Sequence, residues 1–231
     1  MLIPQEEAVV ITFYIIRHGE TLLNSLDRAQ GWSDSPLTDN GKKTAAELGI
    51  KLKNIAFGAV YTSDMLRAWQ TAKLILSASG NDSIKIQKDE RLREWCLGSM
   101  DAEHNSIFMQ KVTDWLGGAA SFAELNRRLP DVARAIYEHD TTGMAEPFAD
   151  ISNRLRSVFA DIAHNTSLNE NSNILIITHA FAIKTLFYLF APEKLCTMDK
   201  LKNTAISKFI YDGKSFIFEE SDQSADFHTF P

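Results

Sequence analysis

Two histidines, two arginines and a glutamate in this 231-residue chain stand where one sheet edge could gather them. Arg17-His18-Gly19-Glu20-Thr21 follows an apolar run over residues 9–16, and His179-Ala180 follows another over 174–178. Ser63 comes after Ala59-Val60-Tyr61 and leads into Arg67, and Glu94 follows the run 84–87. Each run is rich in β-branched or aromatic residues and reads as a strand. Ligands of open α/β sheets bind outside the carboxyl ends of the strands, so the five groups map to one edge. Two guanidiniums beside two imidazoles suit a tetrahedral oxyanion such as phosphate, because arginine presents planar, bidentate donors. Gly19 lets the backbone approach closely. An imidazole with a neutral ring nitrogen is a nucleophile towards phosphorus, and Arg17 and Arg67 nearby would lower its pKa and keep it neutral. A phosphoryl group leaving an alcohol needs a proton donor, and Glu94 is the available carboxylic acid.

The elements that must position these groups follow from patterning. After the strand over 9–16, Thr38 caps a helix over 42–53 with apolar Ala45, Leu48 and Leu52 on one face. A strand over 59–61 leads into a helix over 64–76, with Ser63 as its expected N-cap. A short strand at 84–87 follows. Residues 101–145 carry weaker patterns broken at Gly117-Gly118 and Thr142-Gly143, and read as a helical insertion. A helix over 147–163 with proline in its first turn, the strand 174–178 and an apolar helix over 181–190 stopped by Pro192 come next. Strands over 205–211 and 215–219 flank Asp212-Gly213, a two-residue hairpin signal. Strand and helix alternating in this way imply an α/β fold: a mainly parallel sheet with helices on both faces, in three layers. With no repeat, low-complexity tract or linker, residues 1–231 read as a single domain with a helical insertion at about 101–145.

Composition narrows the function classes. Hydrophobic residues make up 45% and charged residues 23%, and the net charge is −6. No uniform positive field recruits nucleic acid or an anionic membrane. The run 8–16 is far short of the ~20 residues that span a bilayer, and the first residues lack the basic start of a signal peptide. Cys96 and Cys196 are too few for a disulfide framework, which points to a reducing, cytoplasmic compartment. They read as packing groups. No HxxxH or HxH pair supports a metal site, so neither metal nor cofactor is expected. His104, His139, His164 and His228 stand outside any motif and read as surface residues.

Residues 17–24, Arg-His-Gly-Glu-Thr-Leu-Leu-Asn, resemble the RHGE[ST]xxN signature of the histidine phosphatase (phosphoglycerate mutase-like) superfamily. Residues 30–41 resemble its QGxxDxPLTxxG stretch, 63–72 its SxxxRAxQTA helix start, and Leu92-Arg93-Glu94 with Gly98 its proton-donor segment. Thr178-His179 and 203–207 resemble its later motifs, so the likeness runs from residue 13 to about 209. The resemblance implies that His18 takes the phosphoryl group as a phosphohistidine. It implies that Arg17, Arg67 and His179 hold the phosphate oxygens, with Asn24 and the Ala180 N–H as further donors and Thr21, Gln30 and Gly31 nearby. It implies that Glu94 protonates the leaving group and then activates water, without a metal.

Two departures bear on specificity. The mutase branch carries an Arg, a Tyr and a second Gly after the glutamate, where this chain has Trp95-Cys96-Leu97-Gly98-Ser99-Met100. Asp101 and Glu103 then add negative charge, so the site is expected to suit a second phosphate or a carboxylate poorly. Arg127-Arg128 lies in flanks unlike those of a mutase double arginine and reads as surface. Phe181 replaces a small glycine and is expected to narrow the pocket or pack beneath it. Trp95, Phe108 and Trp115 are expected wall residues of a pocket capped by the insertion. The reading is a phosphatase of a small organic phosphomonoester, with a phosphorylated metabolite as partner and oligomeric state left open. The alternatives are a phosphoglycerate mutase and a non-catalytic phosphate-binding module.

Overall fold

In the computed structural model, which describes residues 10–118, 121–165, 171–195, 198 and 200–222, side-chain alternation sets the layers. Along strand β1 (Ile11–Arg17), Ile11, Phe13 and Ile15 enter one apolar cluster while Tyr14 and Ile16 enter another. Helix α1 (Leu22–Ser25) is a single turn, and α2 (Asp39–Lys51) precedes β2 (Phe57–Thr62), α3 (Leu66–Ser79) and β3 (Ile86–Lys88). Three helices follow: α4 (Asn105–Trp115), α5 (Phe122–Arg127) and α6 (Leu129–Glu138). Then come α7 (Phe148–Ala163), β4 (Asn173–Thr178), α8 (Ala180–Phe190), α9 (Pro192–Leu195) and the strands β5 (Ile206–Tyr211) and β6 (Phe216–Asp222). In β4, Ile174 and Ile176 face the first cluster and Leu175 and Ile177 the second. The period of two makes both faces apolar. Helices α2 and α3 cover one face, and α7, α8 and the 105–138 helices share the cluster on the other.

The six strands run in the order β3-β2-β4-β1-β5-β6. The first four are parallel, and β5 and β6 add an antiparallel edge. This is the expected α/β sandwich, mostly parallel. Among the described residues no helix is long and apolar enough to cross a membrane.

Several expected boundaries move for local reasons. Thr38 does cap α2, accepting from the Gly41 N–H, but the helix starts at Asp39. Ser63 does not cap α3: the N-cap position is Met65, which makes no side-chain cap, and the Leu66 N–H is taken by Asp34 at 2.6 Å. A carboxylate from a distant loop has replaced the local cap. The hairpin loop is four residues, not two, since Tyr211 pairs with Phe216. The Asp212 side chain accepts from the N–H groups of both Lys214 and Ser215, which widens the turn. Pro147 is the N-cap of α7 rather than part of its first turn. Val9 lies outside the described residues.

Candidate active site

Register brings the two histidines together. Arg17 of β1 pairs with Thr178 of β4, so the residues one step further, His18 and His179, leave adjacent strands at the same level. Their ring centroids are 5.2 Å apart. The loop after β1 then packs backbone against backbone on the start of α2. A Cβ on Gly19 would lie 2.8 Å from the Gly41 carbonyl oxygen, and one on Gly41 would lie 2.1 Å from that of Glu20. Two motif glycines thus answer each other across one contact.

His18 is 2% exposed. Its Nδ1 lies 2.8 Å from the Gly19 carbonyl, which can only accept, so Nδ1 carries the proton and Nε2 keeps its lone pair. Burial, with Arg67 and Arg17 beside it, holds the imidazole well below its ordinary 6.5. Arg17 gives an Nη1 hydrogen to Leu201 O, and its buried Nε has no hydrogen-bond partner among the described residues. Burial lowers its pKa to about 10. An unpartnered guanidinium N–H beside a neutral imidazole fits an anion.

Arg67 and His179 are fully buried. Arg67 Nε donates to His179 Nδ1 at 3.3 Å, which puts the proton of the neutral His179 ring on Nε2, 2.7 Å from Ser63 Oγ. Burial and Arg67 keep this ring far below 6.5 as well. Arg67 also donates to Ser33 O, Asp34 Oδ1 and Gly31 O, so four of its five N–H groups are engaged.

Glu94 sits at the N-terminus of α8. Its Oε1 accepts from Trp95 and Ala182 N–H, and Oε2 from Phe181 N–H at 2.9 Å. The carboxyl is 3% exposed. Burial pushes its pKa above the ordinary 4.5, outweighing the three N–H groups that favour the charged form. With one N–H against two, Oε2 is the oxygen with room for a proton. The segment is held from outside. Arg154 of α7 donates to the carbonyls of Arg91, Arg93 and Glu94 and pairs with Glu146, while Trp32 Nε1 donates to Glu94 O. Glu90, the neighbouring carboxylate, has a side chain 75% exposed and pairs with Arg93.

Residues 13–223 match the Histidine phosphatase superfamily (branch 1). The chain belongs to this superfamily. It is 29% identical over 204 residues, 87% of this chain and 86% of the other, to an Enterobacter sp. (strain 638) protein bearing the name "Probable phosphoglycerate mutase GpmB". Among solved structures it resembles the phosphoglycerate mutase from Bacillus anthracis str. Sterne at 30% identity and a TM-score of 0.87, covering 95% of each chain. The Entamoeba histolytica phosphoserine phosphatase, solved with 3-phosphoglyceric acid, shares the fold at 23% identity and a TM-score of 0.66, over 92% of this chain and 96% of that one.

In this member of the superfamily a cleft of about 220 Å³ opens at the sheet edge, and Arg17, His18, Asn24, Gln30, Glu94 and Ala180 line it. Arg67 and His179 adjoin His18 without lining the cleft. Thr21 is fully buried and serves structure: it caps α1 and donates to Gln30 Oε1 at 2.7 Å. The Gly31 N–H points to Asp101 Oδ1, and a Cβ there would meet the Trp95 carbonyl at 2.6 Å, so this glycine closes a packing contact. Among the described residues no group of three or more His, Cys, Asp and Glu is arranged to hold a metal.

The expected walls need correcting. Phe108 lines the cleft, but Trp95 is 1% exposed beneath Phe181, with ring centroids 4.7 Å apart, and Trp115 stacks on His139. Phe181 both lines the cleft and packs on Trp95. Asp101 does not line the cleft: it accepts from Gly31, Trp32 and Ser33. Glu103 faces Lys111 and the His104 N–H. Cys96 is buried, and burial pushes its thiol up, as for a packing group. Arg127 is exposed and Arg128 pairs with Asp131. His104, His139 and His164 lie outside the cleft lining; Cys196 and His228 are outside the described residues. Lys184 and Arg154 were not singled out from sequence. For Lys184 the signal was present: it is the single charge in the apolar helix Ala-Phe-Ala-Ile-Lys-Thr-Leu-Phe-Tyr-Leu-Phe.

Proposed function

We propose that this chain is a cytoplasmic phosphatase that hydrolyses small organic phosphomonoesters through a phosphohistidine at His18, without a metal. The observation that carries the reading is the His18 tautomer: Nδ1–H is fixed on Gly19 O and Nε2 is bare, in a cleft shared with Arg17 and Glu94. Nε2 attacks phosphorus as the ester P–O bond breaks, and the departing alkoxide takes the proton from Glu94 Oε2. Arg17, Asn24 and the Ala180 N–H stabilise the phosphoryl oxygens, while Arg67, buried beside His18, adds its positive charge from behind. Water then gives a proton to the Glu94 carboxylate and attacks phosphorus. The N–P bond breaks, its electron pair returns to Nε2, and phosphate leaves with the acid regenerated. The helices over 105–138, an insertion in the single domain, supply the outer wall through Asn105, Phe108 and Met109.

Hydrolysis is favoured over mutase chemistry because the segment after Glu94 turns Trp95 and Cys96 into the core and sends no cation into the cleft. The names borne by the Enterobacter and Bacillus relatives favour the second reading, a phosphoglycerate mutase. Acid-quenched enzyme incubated with labelled ester should carry acid-labile, alkali-stable phosphate that His18→Ala abolishes together with turnover. Label on a serine or cysteine would sink the mechanism. Fast phosphoglycerate interconversion with a bisphosphoglycerate primer, and little phosphate release, would establish the mutase instead.

A further inference from the structure

The motif over residues 203–207 has no task in the phosphoryl chemistry, yet its first residue, Asn203, lines the cleft. The chain leading into β5 is fastened to the residues that carry the reaction. The Leu201 carbonyl accepts from Arg17 Nη1, the Thr204 N–H donates to Arg17 O at 3.1 Å, and the Arg17 N–H donates to Ala205 O at 3.1 Å. Thr204 sits at φ +60, a left-handed conformation that a β-branched residue rarely takes. Such a backbone persists only where its surroundings over-determine it, and it gathers where a neighbouring group has to be aimed. Here the neighbouring group is the Asn203 amide. Its Nδ2 donates to the His18 carbonyl at 3.0 Å and to Asn24 Oδ1 at 3.0 Å.

Resting on the phosphatase reading, we infer that Asn203 is a positioning residue: its amide, oriented by the His18 carbonyl, locks the Asn24 amide so that only N–H groups of Asn24 meet the phosphoryl group. Hydrogen-bond polarity fixes each step. A main-chain carbonyl can only accept, so the nitrogen end of the Asn203 amide faces His18 O. That nitrogen carries two hydrogens, and its two bonds use both, so Asn203 has no N–H left for an anion. Asn24 in turn meets Asn203 with its oxygen, which also accepts from the Thr21 N–H at 3.3 Å. With Oδ1 held by two donors, Nδ2 is the end of the Asn24 amide that remains for an anion in the cleft that Asn24 lines. An amide turned the other way would set its oxygen against the phosphoryl oxygens, acceptor against acceptor. The residue that attacks phosphorus thus also sets, through its own carbonyl, the polarity of one phosphate donor.

The test reads the binding of inorganic phosphate by calorimetry in the wild-type chain, Asn24→Ala, Asn203→Leu and the double variant. Asn24→Ala should weaken binding about 10- to 100-fold, the worth of one hydrogen bond to a charged group. Asn203→Leu, similar in size but without the amide, should weaken it about 3- to 10-fold, the range of a neutral hydrogen bond. In the Asn24→Ala background the same change should cost less than about two-fold, because the group it serves is gone. Equal losses in both backgrounds would make Asn203 a support of the fold alone, and no loss from either single change overturns the role outright. If Asn203→Leu does not fold, Asn203→Ser, too short to bridge, enters the same cycle. A second measurement needs no change at Asn203. In side-chain amide NMR of the isotope-labelled wild-type chain, phosphate should move the Asn24 signals and leave those of Asn203, already bonded to two acceptors, nearly in place. A larger shift at Asn203 would make it a phosphate ligand and overturn the inference. Both readouts are equilibria with phosphate itself, so they are separate from the phosphatase reading, which fails if the wild-type chain releases no phosphate from 4-nitrophenyl phosphate.

Discussion

At the sheet end of the cleft, backbone geometry places the reactive groups; at the outer end, side chains do. His18 and His179 follow directly from the Arg17–Thr178 register pair, the His18 tautomer is set by a main-chain carbonyl, and Glu94 is held by three main-chain N–H groups. The outer end draws Asn105, Phe108 and Met109 from α4 and Lys184 from α8, and Lys184 is oriented by a side chain of α5. A group fixed by backbone tolerates little change in its neighbours, because the peptide frame cannot adjust without moving a strand. A group fixed by side chains can be exchanged with its partner. The first arrangement suits a reaction, and the second suits the choice of substrate on a shared fold.

The largest effect should break the sheet end at its acid. Glu94→Gln removes the proton that an alkoxide leaving group needs, so turnover of alkyl phosphates should fall about 10²–10⁴-fold. A nitrophenolate leaves with little help, so phosphorylation by 4-nitrophenyl phosphate should fall much less and phosphohistidine should accumulate in a burst. The pH profile gives the sign. In the proposed mechanism the acid works protonated, so kcat/KM for an alkyl phosphate should decline as pH rises through the raised pKa of Glu94, and Glu94→Gln should remove that limb. As the proposed nucleophile His18 must be neutral, and its pKa lies well below 6.5, so its own loss should lie on the acid side. Glu90→Gln is the control. If it showed the leaving-group split and Glu94→Gln did not, the acid would be four residues away.

The next effect probes how the acid is placed. Arg154 gathers three carbonyls of the 91–94 segment and is itself paired with Glu146. It touches none of the reacting atoms in the mechanism, so it is a positioning residue. Arg154→Met should lower turnover of alkyl phosphates by up to about 10²-fold, the scale of a misplacement near 1 Å, with a smaller loss for 4-nitrophenyl phosphate. Equal losses on both esters would mean that Arg154 serves the fold alone. Arg154→Lys should recover little, since one ammonium cannot replace a five-donor fork.

The same division explains what could be read from residues in order. The sheet end was legible because its geometry is local: a strand, then a histidine, then a glycine that admits a close backbone. The motif Asp34 was visible too, though its work was not: it caps α3 and pairs with Arg67 across 32 and 33 residues of sequence. Asp101 was misread for that reason. The sequence counts its charge against a second anion in the cleft, whereas its oxygens lie on the N–H groups of the 31–33 loop, outside the cleft lining. Trp95 and Trp115 read as wall residues of a capped pocket, yet aromatic stacking carries them elsewhere. Lys184 shows its oddity in sequence as a lone charge on an apolar helix, but its partner Asn126 is 58 residues away. Periodicity cannot supply such a pairing.

The smallest expected effect compares two glycines, one beside the loop that carries His18 and one in the turn after α6. Gly41→Ala places a Cβ 2.1 Å from the Glu20 carbonyl oxygen and 2.7 Å from the Glu20 nitrogen, both main-chain atoms. Main chain cannot rotate away like a side-chain tip, so the loop that carries His18 must shift. Denaturant unfolding should show a loss of about 1–3 kcal/mol, the usual cost of overpacking, and kcat/KM should fall with it. Gly143, in the turn after α6, has φ +69, and a Cβ there would meet nothing within 4 Å. Gly143→Ala therefore carries only the left-handed backbone cost, about 1 kcal/mol, with turnover unchanged once folded protein is counted. Similar stability losses with activity falling only in Gly41→Ala would place the sensitivity in the loop after β1. If Gly143→Ala reduced kcat/KM as much, the turn after α6 would be coupled to the chemistry, and the division between a backbone-built reaction centre and a side-chain-built wall would not stand.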